Sequence, residues 1–253
     1  MRFAQCLQGS RNTGDTAPFR GLTVVGYQLI PVPEGFSLFC PTFKGVGGKL
    51  DLSTIDVCTA DGAINTEIYG AITIQFMNAK GGYIPGTYAY DKDSYPDNGW
   101  ENPSGDEIAI GEKTFAEGEG VCFNNDFGET VYIRFSGEVD LINRNEVGEG
   151  FILWGNSTPV ALDLCNLNIV DADGEINTEI YGGVTIQFMN AKGGYIPGTY
   201  AYDKDSYPDN GWENPSGDEI AVGEKILQPG EAVCINNDFG ETVWMNPRCP
   251  IAK

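Results

Sequence analysis

The chain has 253 residues, a net charge of −21 and no histidine, with 41 % hydrophobic and 11 % aromatic residues. That length suits one large or two ordinary globular domains with real cores. The acidic surface argues against nucleic acid and anionic membrane as partners, and the missing imidazole removes Ser-His-Asp and Cys-His catalysis and every histidine metal site.

Residues 1–18 are polar and poor in apolar side chains, which predicts an extended N-terminal arm. The opening MRFAQCLQGS lacks the apolar stretch of a secretory leader, and no apolar run long enough to span a bilayer follows. The expectation is cytosolic synthesis and no membrane insertion.

Strand patterns then dominate. Residues 22–31 and 35–42 are apolar and β-branched, and 72–77 (ITIQFM) alternates, as does 87–90. Residues 107–110, 120–123 and 130–135 complete the series. Asp61-Gly62, Gly81-Gly82, Pro85-Gly86, Asp97-Asn98-Gly99 and Asn125 to Gly128 supply turns between them. No stretch sustains a 3.6-residue apolar period. The prediction is all-β, an antiparallel β-sandwich or small barrel.

The pattern then recurs. Residues 73–109 and 185–221 are identical, at an offset of 112. INTEIYG at 64–70 returns at 176–182, and GEGVCFNNDFGETVY at 118–132 returns as GEAVCINNDFGETVW. Upstream, EGFSLFCPTF at 34–43 aligns with EGFILWGNST at an offset of 115. An internal duplication follows, with an arm over 1–18, a first β unit over 19–134 and a second over 135–253, abutting without a linker. Its polar middle is the invariant part while the apolar flanks have drifted. Two explanations stand: recent duplication or conversion of that patch, or a surface that both copies must keep.

Seven cysteines give an odd count, and none forms a CxxC pair. Cys122 matches Cys234, whereas Cys40 matches Gly155 and Cys58 matches Val170. No bridge is therefore shared by the units, and buried reduced thiols are expected. Cys6 with Cys249 is the pair that would tie the termini.

Chemistry concentrates in the repeated acidic loop. Asp91, Asp93 and Asp97, with Asp203, Asp205 and Asp209 in the second copy, gather hard oxygens in a turn-rich run, a pattern that Ca²⁺ uses. The spacing is not that of an EF-hand, and a solvated turn loop accounts for it equally. Asp171-Ala-Asp-Gly resembles a calcium-loop fragment, but its partner, Thr59-Ala-Asp-Gly, has lost carboxylates, and a tight turn explains both. Tyr95 and Trp100, with Tyr207 and Trp212, put aromatic faces beside carboxylates. Sugar-binding modules do this; so do cores and interfaces.

No phosphate loop, nucleophile elbow or metalloprotease motif occurs. The expectation is a non-enzymatic, cofactor-free structural component of a larger assembly. A virion protein (phage decoration, spike or tail surface) or a strand-exchanged surface filament would fit, located on a virion or extracellular surface. Its partners would be other copies or other structural subunits. The alternatives are a tandem carbohydrate-binding module, which requires Trp100 and Trp212 exposed, and a calcium-dependent adhesion module.

Overall fold

A computed structural model describes residues 25–45, 49–139 and 144–247. The expected arm and the Cys6–Cys249 pair lie outside these residues. The described chain is all-β with antiparallel sheets, as the alternation predicts.

The first half contributes β1 (Val25–Val32), β2 (Gly35–Phe39), β3 (Leu50–Asp51), β4 (Asp56–Cys58), β5 (Tyr69–Gln75), β6 (Tyr88–Asp91), β7 (Trp100–Glu101), β8 (Thr114–Phe115), β9 (Val121–Asn125) and β10 (Val131–Glu138). The second contributes β11 (Asn145–Val147), β12 (Gly150–Gly155), β13 (Leu162–Asp163), β14 (Leu167–Val170), β15 (Tyr181–Gln187), β16 (Tyr200–Asp203), β17 (Trp212–Glu213), β18 (Ile226–Leu227), β19 (Ala232–Asn237) and β20 (Val243–Pro247).

Five strands form one sheet in the order β2-β9-β5-β6-β7, and three form another, β1-β10-β4. The second half repeats both orders, as β12-β19-β15-β16-β17 and β11-β20-β14. Alternation fixes what each strand buries. In β10, Val131, Ile133 and Phe135 point inward, and in β5 Ile72 and Ile74 do so. These residues join one core with Val32, Tyr90, Trp100 and Phe123, so the two sheets of the half face each other across it. The second half has its own core around Leu164, Ile186, Tyr202, Trp212 and Val243. Phe135, where the sequence places the start of the second unit, lies inside β10 opposite Gln28 of β1.

One expectation needs correction. Residues 107–110 do not form a strand; Glu107 makes one isolated bridge to Glu101, and Ile110 is 89 % exposed. Gly105 and Gly111 flank the segment in the left-handed region (φ 88° and 82°) and reverse the chain at each side. The two-residue strands β3, β7 and β8 carry no readable period and went unpredicted.

A third apolar cluster joins the halves: Leu38, Cys40, Cys122, Leu153, Ala232 and Cys234. Around it the backbones bond reciprocally. Phe36 N–H donates to Ala191 O and Phe151 N–H to Ala79 O, both at 2.9 Å. Gly35 and Gly150 permit that approach: a Cβ on either would stand 2.4 or 2.3 Å from the same carbonyl oxygens. Thus the outer edges of β2 and β12, which would otherwise present unpaired N–H and C=O groups, are covered by the opposite half.

Candidate interaction surfaces

The acidic loop is a self-bonded clip. Asp91 Oδ1 accepts from Ser94 N–H at 2.9 Å, and Asp203 does the same for Ser206. Glu107 Oε1 accepts from the N–H groups of Asp97 and Asn98 at 3.1 and 3.0 Å. Asn102 Oδ1 takes the N–H groups of Ser104 and Asp106, while its amide donates to Glu112. These bonds satisfy backbone that has no ladder, which is what Asx-type residues do in turns. Ile108 follows the clip inward and is buried.

A lysine braces the backbone of each loop. Lys92 Nζ donates to Asp97 O at 3.1 Å, and Lys204 Nζ to Pro208 O and Asp209 O at 2.7 and 3.2 Å. Asp93, Asp97, Asp205 and Asp209 are exposed on the loop surface.

Trp100 and Trp212 are fully buried, so the exposed faces that a sugar-binding module requires of them are absent. Each indole N–H donates at 2.7 Å to a carbonyl, of Ile55 and of Leu167 respectively. Each ring meets a buried tyrosine edge-on, Tyr90 or Tyr202, with centroids 5.1 Å apart. Tyr95 and Tyr207 are half-buried and donate their hydroxyls to Gly105 O and Gly217 O. The two tryptophans thus hold the loop to the core, and the two tyrosines brace the loop on itself.

Other exposed apolar groups recur at equivalent positions. Tyr69 and Tyr181 are 65 % and 68 % exposed, at the first residue of a bulge in β5 and β15. Each stands opposite the first aspartate of the acidic loop, Asp91 or Asp203. Ile110 and Val222 cap the next turn at 89 % and 87 % exposure. The identity of INTEIYG at 64–70 and 176–182 was the available signal for Tyr69, and only burial distinguishes it from the inward aromatics.

The interface also leaves two clefts, of about 370 and 420 Å³. One is lined by Glu117, Glu119, Glu146 and Glu149 among apolar neighbours; the other, at the equivalent place, has Pro229, Glu231, Pro31 and Gln28. The halves therefore share a framework but not the charge around it.

All five described cysteines are free thiols. Burial raises the thiols of Cys40, Cys58, Cys122 and Cys234 and the phenols of Tyr83 and Tyr195 above their ordinary values. Burial, followed by the charge of Asp163, pushes Cys165 up to about 11. The folded state thus holds protons that the unfolded chain releases. Stability from these groups is full below a free thiol's pKa of about 8.5 and is lost as pH rises toward the folded values, at up to about 1.4 kcal/mol per pH unit for each fully buried group. The melting temperature is expected to hold to about pH 8 and fall steeply by about pH 10–11; calorimetry across that range checks it, and a flat profile to pH 11 refutes it.

No protein-family model, no curated protein and no solved structure matches the chain.

Proposed function

We propose that the protein is a non-enzymatic structural subunit of a larger assembly, a virion surface component or a strand-exchanged filament subunit. On this reading the two halves are tandem duplicates of one sandwich-like unit, and residues 1–18 are an arm that reaches a neighbouring subunit. The partners are further copies or other structural subunits, and neither cofactor nor catalytic residue is called on.

The observation that carries the reading is the side of β1 that no described residue pairs with. This strand is eight residues long, ends its sheet, and among the described residues pairs only with β10. The other ends of the three- and five-stranded sheets are closed or shorter: β2 and β12 are covered by the opposite half, β7 and β17 have two residues, β4 and β11 three, and β14 four. A long uncovered edge is a template for strand addition. Pro31 tempers one end of it, and Tyr27 stands 45 % exposed on it.

Light scattering and electron microscopy of the full chain test the proposal. Discrete rings, shells or filaments are expected, and a monomer at every concentration refutes it. Tyr27→Lys is expected to disperse the assembly with little change in melting temperature, since a charge on an edge blocks pairing and an exposed substitution costs about 0.5 kcal/mol or less. Removal of residues 1–18 should disperse it as well; assembly unchanged by both changes eliminates strand addition at β1.

A further inference from the structure

We infer that the two halves are sterically matched to each other and mismatched to their own kind, so that the central interface admits only a first half against a second half.

The interface has local two-fold symmetry. Cys40 N–H donates to Gly230 O at 2.8 Å, and Gly155 N–H to Gly118 O at 3.1 Å. Phe39 bridges Glu231, and Trp154 bridges Glu119. The ring of Phe36 lies against Gly193, and that of Phe151 against Gly81. Each pair interchanges equivalent positions of the repeat. On such an axis a residue meets its own counterpart, and two positions do so here: 40 with 155, and 120 with 232.

There the symmetry is broken. A Cβ on Gly155 would lie 2.3 Å from Cys40 Cβ and 2.9 Å from both Ala232 Cβ and the backbone Glu231 O. A Cβ on Gly120 would lie 3.0 Å from Ala232 Cβ. Four positions converge, and there is room for two side chains. The first half supplies Cys40 and Gly120; the second supplies Gly155 and Ala232. Neither glycine has a positive φ, so spacing and not backbone conformation requires it. Two first halves would set cysteine against cysteine at the 2.3 Å Cβ spacing. Two second halves would set alanine against alanine at the 3.0 Å spacing and leave an unfilled gap at the glycines. Rejection of the wrong partner by clash is a standard route to specificity. Its effect is to stop two chains from joining through like halves. The inference does not depend on the edge of β1.

Gly155→Ala and Gly155→Cys in the full chain, against the reciprocal exchange C40G/G120A/G155C/A232G, test it. Either single variant should lower the melting temperature by roughly 4–10 °C. It should also speed labelling of the interface thiols Cys122 and Cys234 by about 10-fold or more, while Cys58, buried on β4 away from that interface cluster, labels at the parent rate. The fourfold exchange moves both side chains to the opposite halves and should restore the melting temperature and the slow labelling. Should Gly155→Cys fail to fold, Gly155→Ala and the exchange carry the comparison. A fourfold variant as unstable as the single ones, or single variants like the parent protein, overturns the inference.

Discussion

Asn125→Asp is expected to destabilise the protein by about 3–5 kcal/mol at neutral pH, the range for an uncompensated buried charge. Asn125 is 1 % exposed. Its amide donates to Val32 O at 2.9 Å and Glu129 O at 2.8 Å, and its Oδ1 accepts from Phe127 N–H at 3.1 Å. One side chain thus ties the end of β1 to the turn between β9 and β10. Aspartate would turn an oxygen toward two carbonyl oxygens. Burial would raise that carboxyl's pKa, so the loss should ease as pH falls toward the ordinary carboxylate range and grow above it. Asn125→Ala, which removes the amide without adding charge, should cost less, about 1–3 kcal/mol. Asn237 holds Val147, Gly148 and Glu241 in the same manner, and its aspartate variant should behave alike. Urea unfolding followed by tryptophan fluorescence measures both; a loss below about 1 kcal/mol at both sites would show that the clamp is not needed.

Asn125 also shows where sequence reading stops. The run NNDFG reads as a turn, and it is one, but nothing local says that its second asparagine faces inward to a strand ninety residues earlier. Alternation locates most long strands to within a few residues: it marks 130–135 where β10 runs over 131–138, and 120–123 where β9 runs over 121–125. A period of two needs several residues to be seen, so β3, β7 and β8 were invisible. The invariance of 73–109 now has a partial physical reason. Met77, Ala79, Gly81 and Tyr83 meet the opposite half, so both copies carry the same contact surface. The reciprocal contact itself left no local mark, because Cys40 opposite Gly155 looks like drift until the two stand on one axis. The loop misled for a related reason. Its dense Asp, Asn and Glu content suggests a site facing water, yet those groups mostly bond backbone N–H groups and let Trp100 turn into the core.

Trp100→Ala therefore tests the loop as a structural element. The indole is fully buried, packs edge-on to Tyr90 at 5.1 Å, and satisfies Ile55 O at 2.7 Å. Truncation opens a cavity and strands that carbonyl, for an expected loss of about 3–5 kcal/mol. Trp212→Ala should match it, since Tyr202 and Leu167 O stand in the same places. Trp100→Phe separates the two contributions: it keeps most of the ring and should cost about 1–3 kcal/mol, mainly for the unpaired carbonyl. The two alanine variants together would remove about 6–10 kcal/mol if the sites act independently, against the roughly 5–15 kcal/mol by which proteins are stable. The double variant should then lose its cooperative melt by calorimetry or retain only a sliver of it. A loop whose tryptophans served a ligand at the surface would give the opposite outcome, an unchanged melt in both single variants. That result would return Trp100 and Trp212 to the solvent and remove the clip as the reason for the repeated loop.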